Sequence, residues 1–289
     1  MPIYHQTYRS FDGTVRTSGR WWAIVKHEFR VLAKSRPFLL MFLMGYPQVL
    51  MRVLQIVAVD TLASNKNNQI TQMVQSVMSL KITGSMFFDF IRLQAPIVFL
   101  ATILAGAGMI CDDLRHNLMD VYFSKAITWR DYVVGKLMTL IIIGMIFTAV
   151  PAIFLLLLHN LLAPSMQTIR ETWWLPGPIL AFSTVLVVPC ALGVLASSAL
   201  FSSERYASIG VFMVLFADLL IGKSLDRANP ELLLLAFPLA LNRVGEVLFS
   251  ARRPYANITW EGSAIFVVIV CLVAFWAVCR KVKRAEVAT

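Results

Sequence analysis

Apolar residues in this chain come in long runs, and polar residues gather in the short stretches between them. Runs of roughly 18 to 25 apolar residues are long enough to cross the hydrocarbon core of a bilayer as helices. The pattern places six such spans at about 38–59, 90–110, 137–158, 178–200, 206–221 and 262–278. Gly45 and Pro47 permit a kink in the first. Pro96 lies in the second, and the small-residue set Ala105, Gly106, Ala107 and Gly108 near its end allows close helix contact. Trp173, Trp174 and Trp260 flank spans, as an aromatic belt does at the membrane surface.

Three stretches depart from this rhythm. From Arg20 to Arg36 the period is that of an amphipathic helix, with Trp21, Val25, Phe29 and Leu32 on one side and Lys26, Arg30 and Lys34 on another. Indole rings beside a basic stripe suit a helix lying in the headgroup layer, and Pro37 then turns the chain into the first span. Residues 111–136 form the one long charge-rich interruption, and Leu114, Leu118, Val121 and Tyr122 recur at helical spacing within it. This predicts a short helix with one apolar face. Residues 232–249 are apolar enough to tempt a seventh span but contain Pro238, Asn242, Arg243 and Glu246. They read as part of a helical hairpin, 223–260, that dips in from the outer side and is sheltered by protein. Residues 1–19 read as a loose tail, and 60–89 as an outer loop with a helix over about 69–80.

Composition confirms the class. Hydrophobic residues make up 58% of 289 and charged residues 15%, with a mean hydropathy of +0.71. A soluble domain of this size needs more polar surface. The start of the chain lacks a signal-peptide core, so the first span is expected to serve as its own insertion signal. Cys111, Cys190, Cys271 and Cys279 lie in or beside spans without a CxxC spacing and read as small apolar filler. The net charge of +10 does not point to nucleic acid, because the basic residues cluster at span ends. With both termini on one side, that side holds roughly 16 Lys and Arg against about 8 opposite, which favours both ends in the cytoplasm. Arg280, Lys281, Lys283 and Arg284 directly follow the last span.

Catalytic chemistry is hard to find. Gly222-Lys223-Ser224 looks like the end of a phosphate-binding loop, but Ala217 stands where the first glycine is required. His5, His27, His116 and His159 are scattered, and neither HExxH nor GxSxG occurs. Asp112, Asp113 and Asp120 lie among basic residues and read as a solvated, mixed-charge helix. The chain is therefore expected not to be an enzyme and to bind no metal or cofactor itself. Ionisable groups inside spans carry more weight, because an unpaired charge facing lipid is costly. Arg52 in the first span is expected to pair with Asp218 near the outer end of the fifth, with Asp89 as the rival, and Arg243 is expected to pair with Glu246.

In order and spacing, these features resemble the ABC-2 permease family, the membrane subunits of type-2 ABC exporters. A basic amphipathic helix (20–34) precedes the first span. The segment after the second span has an acidic residue, a short helix and a run Ile127-Thr128-Trp129-Arg130-Asp131-Tyr132 closing on Gly135-Lys136. A broken apolar stretch sits between spans five and six. Asp113, Asn117 and Ala126 stand where the family often has Glu, Gly and Pro.

The resemblance implies an all-α polytopic protein: a tail and interfacial helix (1–36), a six-span domain (37–284) and a short tail (285–289). It implies a second permease chain, identical or related, and two ATP-binding subunits that carry ATP and Mg. Leu114, Leu118, Val121, Tyr122 and Arg130, with Phe29 and Arg30 of the first helix, would meet those subunits. ATP-driven closure would rock the permease halves and move an amphipathic or lipid-like substrate outward across the inner membrane of a bacterium. A stand-alone secondary transporter should show two repeated halves, and none is visible. A membrane-embedded enzyme should show a catalytic constellation.

Overall fold

Each long apolar run folds as a helix, which satisfies every backbone polar group within one segment, as lipid requires. A computed structural model describes residues 19–64, 83–124, 127–162, 166–228, 236–251 and 259–288, with the backbone alone at 59–64, 166–168, 218–228 and 287–288. In chain order the helices are α1 (Arg20–Leu32), α2 (Arg36–Ser64), α3 (Gly84–Gly106), α4 (Cys111–Arg115), α5 (Leu118–Phe123), α6 (Trp129–Phe147), α7 (Ala149–Leu162), α8 (Met166–Thr172), α9 (Pro176–Leu200), α10 (Glu204–Ala228), α11 (Phe237–Leu248) and α12 (Trp260–Ala288). Five helical stretches among the described residues are long and apolar enough to cross a membrane: Arg36–Ala58, Gly84–Arg115, Trp129–Leu162, Ile169–Leu200 and Trp260–Glu286. The expected fifth span, 206–221, lies within α10, part of which is described by its backbone alone. The expected tail 1–18 and loop helix 69–80 lie outside the described residues.

The helix α9 is the axis of the bundle. It packs against α3, α6, α10, α11 and α12, while α2 leans on α3 and α7. The small-residue set in α3 works as expected, since a Cβ at Gly106 would come within 2.7 Å of Leu140 and 2.8 Å of Val194. Only a glycine lets α3, α6 and α9 meet this closely. The third span is broken where sequence spacing predicts one run. Pro151 has no N–H to offer the Phe147 carbonyl, and α6 ends at Thr148, whose hydroxyl turns back to the Gly144 carbonyl at 2.9 Å. By contrast, α2 and α12 turn apolar side chains outward, among them Leu43, Leu50, Ile265, Leu272 and Val273. So long an apolar surface suits lipid rather than water.

The two ends of the bundle are distinct. At one, Gly84 at the start of α3 lies against the Phe249 carbonyl and Trp174. There α11 packs on α9, α12 and α3, so the described part of the expected hairpin is sheltered by protein. At the other end lie α1, α4, α5, the α9–α10 turn and the tail of α12. The Glu286 carboxylate accepts from the Trp129 N–H at 3.3 Å, and Lys281 shares a cavity with Arg115 and Ser202. The segment 111–136, the α9–α10 turn and the basic tail of α12 are therefore together in space.

Candidate coupling site

The segment 111–136 is anchored at both of its ends. Its first helix, α4, begins where the N–H groups of Ile110 and Cys111 donate to Ser198 Oγ of α9 at 3.0 and 3.2 Å. This satisfies two of the donors a helix start leaves over. Its far end is a capping box: Asp131 N donates to Thr128 Oγ1, and Thr128 N donates to Asp131 Oδ2, each at 3.3 Å. The run Ile127–Tyr132 is thus a helix start signal, and it fixes where α6 begins.

Between these anchors the expected single helix is two. Asn117 adopts a left-handed conformation, φ 54°, and separates α4 from α5. Asparagine tolerates that region better than most residues. The break changes which way the apolar side chains face. Leu118 and Val121 on α5 are 40% and 53% exposed. Leu114 is half-buried against the core, and Tyr122 turns inward, its ring 5.4 Å from that of Tyr132. Burial pushes the Tyr122 phenol above its ordinary value, against the opposite pull of Lys136.

Beneath Tyr122 lies the feature that sequence reasoning missed. Lys136, 2% exposed, points its ammonium at two carboxylates from different elements: Glu28 Oε1 of α1 at 2.7 Å and Asp113 Oδ2 of α4 at 2.8 Å. Tyr132 donates its hydroxyl hydrogen to the same Asp113 oxygen at 2.7 Å. The Tyr132 and Tyr122 rings flank the ammonium at 5.4 and 5.9 Å. Asp113 is therefore not part of a solvated helix face, as its mixed-charge neighbourhood suggested; it is 8% exposed and ion-paired. One cation joins three elements, and removing a partner from such a buried pair costs about 3–5 kcal/mol. The same junction is close-packed: a Cβ on Gly135 would stand 2.8 Å from Ile24 Cβ and 3.0 Å from the Trp21 carbonyl oxygen.

The α1 helix forms where its periodicity predicts, but its buried stripe, Ile24, Val25 and Leu32, meets protein. The partner is α6, so this stripe is not the face turned to lipid headgroups. Phe29 is half-buried against the core, while Arg30 is exposed beside Lys26 and Lys34. Arg130 is also exposed, its guanidinium 5.3 Å over the Trp129 ring.

The chain matches the family described as ABC-2 family transporter protein over residues 22–280. It belongs to the ABC-2 transporter family. A search among curated proteins finds no match. As a family member the chain is an integral membrane protein and a membrane subunit of an ABC transporter, a class that works with ATP-binding partners.

Two other expected sites in this ABC-2 subunit lie away from the coupling segment. Arg243 Nη1 donates to Glu246 Oε2 at 3.1 Å within α11, as the spacing predicts, and both residues are buried. Burial holds the Glu246 carboxyl above the ordinary carboxylate range, against the opposing pull of Arg243 and of Arg92. Arg52 is half-buried and donates from Nη1 to Gln55 Oε1, one turn along α2, at 2.8 Å. Its expected partner Asp218 is described by backbone alone, and the rival Asp89 is exposed.

Signals for the missed cluster were present. Glu28 is the one acid in an otherwise basic α1. Lys136 is a lone cation directly before a long apolar run. What the sequence could not supply was that residues 108 positions apart face each other.

Proposed function

We propose that this chain is the permease half of an exporter whose ATPase subunits push on α5, and that the Lys136 junction passes the push to the spans. The observation that carries this is the contrast within the coupling segment. Leu118 and Val121 are apolar and exposed at the bundle end, while the other end of the same segment is fastened to α1, α6 and α9. An apolar contact on a rigidly held helix transmits displacement; one on a loose loop dissipates it. Arg30 and Arg130, also exposed, offer charge suited to a polar groove on a soluble partner.

In this reading the chain spans the membrane six times with α10 as the fifth span, and the coupling end is cytoplasmic. Two permease chains pair above two ATPases. ATP and Mg are held by those partners. The pair alternates between two packings and moves an amphipathic or lipid-like substrate outward across a bacterial plasma membrane. The intramembrane pair Arg52–Asp218 and the outer helix with Arg243 and Glu246 serve the spans, not the coupling face.

The test uses Leu118→Asp and Val121→Asp, since Tyr122 faces inward and its replacement would disturb folding instead. The double variant is expected to fold yet lose copurification with the ATPase and stimulation of ATP turnover. Unchanged association and turnover would refute the contact. A cysteine at Leu118 labelled from the exterior of intact cells would refute the orientation.

A further inference from the structure

We infer that the coupling end carries a binding site for one anionic phospholipid, with its headgroup between Arg115 and Lys281 and an acyl chain in the groove beside α9. Two cavities meet there. A cavity of about 300 Å³ lies among α4, the α9–α10 turn and α12, with Arg115, Ser202 and Lys281 in its lining. A second, of about 430 Å³, runs along α9 between α10 and α12 and is lined almost wholly by apolar groups, among them Phe99, Val214, Phe266 and Val270. Leu200 and Phe201 line both. The pair thus forms one amphipathic surface, cationic at one end and apolar along the rest.

Its charge is matched to an anion. The first cavity has two cations and a hydroxyl in its lining and no carboxylate. The acids nearest in sequence do not line it: Asp112 and Glu204 both lie beside Gly108, and Asp113 is paired with Lys136. Its depth in the membrane is marked independently. Trp276, 59% exposed on α12, carries the Arg280 guanidinium 4.9 Å over its ring, one residue before Lys281. An outward indole followed by basic residues marks the level of the headgroups. A phosphate at that level reaches Arg115 and Lys281 while its chain lies along α9.

The groove offers an unusually clean variant. A Cβ at Gly193, which is in its lining, would meet nothing within 4 Å. Gly193→Leu should therefore fold, with improved helix propensity, while filling the groove. The full-length chain is purified into nanodiscs of phosphatidylcholine with a minor share of phosphatidylglycerol, and co-bound lipid is measured by native mass spectrometry.

Wild type is expected to retain one phosphatidylglycerol in preference to phosphatidylcholine. Arg115→Gln with Lys281→Gln should weaken that preference roughly thirty-fold, since each basic side chain near an anionic surface is worth about fivefold. Gly193→Leu should lose retention of both lipids at unchanged melting temperature, and Lys26→Gln with Lys34→Gln on α1 should retain them. Equal retention of the two lipids by wild type, or unchanged preference in the Arg115/Lys281 variant, overturns the site. So does a Gly193→Leu variant that keeps its lipid but loses a second permease chain, which would make the groove a protein interface. These outcomes are independent of the ATPase contact, which is read from Leu118 and Val121.

Discussion

Two buried charge clusters sit at opposite ends of this bundle and are built in opposite ways. Arg243 and Glu246 are three residues apart on one helix, and their 3.1 Å contact closes within α11. Lys136, Glu28 and Asp113 come from three elements, with 108 residues between the lysine and its farther partner. The first stabilises a helix that is already held by packing on α9, α12 and α3. The second decides whether α1, α4 and α6 move together. A local pair neutralises a charge; a long-range one also constrains the relative motion of whole elements. That difference is why the function proposed above assigns the transmission of force to the lysine cluster and not to the arginine pair.

The sharpest way to break the comparison is Lys136→Met. It leaves Glu28 and Asp113 buried without their cation, and the loss of such a partner costs about 3–5 kcal/mol. In detergent the variant is expected to melt well below wild type, and a cysteine at the exposed Trp22 of α1 should gain mobility in spin-label spectra. Restoring neutrality with Lys136→Met, Glu28→Gln and Asp113→Asn together should recover part of the loss, because desolvated charge is then absent. If α1 stays equally rigid in Lys136→Met, the junction is not what holds it.

Arg243→Met is expected to cost less, about 1–3 kcal/mol, because Glu246 can escape its unpaired state by taking up a proton. The sign follows from burial. The Glu246 carboxyl already holds its proton above the ordinary carboxylate range in the folded chain. The folded state therefore binds more protons than the unfolded one in the interval between those two values, and this group's contribution to stability falls as pH rises through it. Removing Arg243 takes away an influence that lowers the value, so the fall extends to higher pH. Thermal unfolding at pH 5 and pH 8 should show a larger difference between the two pH values for Arg243→Met than for wild type, with α1 mobility unaffected in both. Release of α1 by this variant would erase the distinction between the clusters.

The contrast also explains what could be read from residues alone. Five of the six expected spans were legible because membrane insertion imposes length and apolarity, which are properties of a continuous run. The Arg243–Glu246 pair was legible because i,i+3 neighbours on a helix must meet. The close approach at Gly106 was likewise compositional. The fold of 111–136 was misread in two places for one reason. Helical period alone put Leu114, Leu118, Val121 and Tyr122 on one face, but Asn117 breaks the helix and rotates the two halves apart. Asp113 looked solvated because its sequence neighbours are charged, whereas its spatial neighbours are Lys136 and Tyr132. That α6 is what covers the stripe of α1 is a fact of tertiary packing that helical period does not carry.

The smallest effect tests whether the lysine cluster acts as a unit. Tyr132→Phe removes one hydrogen bond to Asp113 Oδ2 but leaves that carboxylate paired with Lys136. Alone it should cost about 1.5 kcal/mol, the low end for a hydrogen bond to a charged group, because the carboxylate keeps Lys136. Glu28→Gln should cost somewhat more, about 1.5–3 kcal/mol, since the bond it weakens is charge-assisted while Lys136 keeps Asp113 as its counter-ion. Tyr132 and Glu28 are not bonded to each other; both reach the cluster through Lys136 and Asp113. In a double-mutant cycle, independent contributions would add within about 0.3–0.5 kcal/mol. A cluster that acts as one body should instead show an interaction energy beyond that. The reason is that Asp113, deprived of its hydroxyl donor, must draw Lys136 closer when Glu28 is gone. Simple additivity would reduce the junction to separate contacts, Tyr132 with Asp113 and Glu28 with Lys136, and the hold on the segment would then rest on its other contacts, Ser198, the capping box and Glu286 among them.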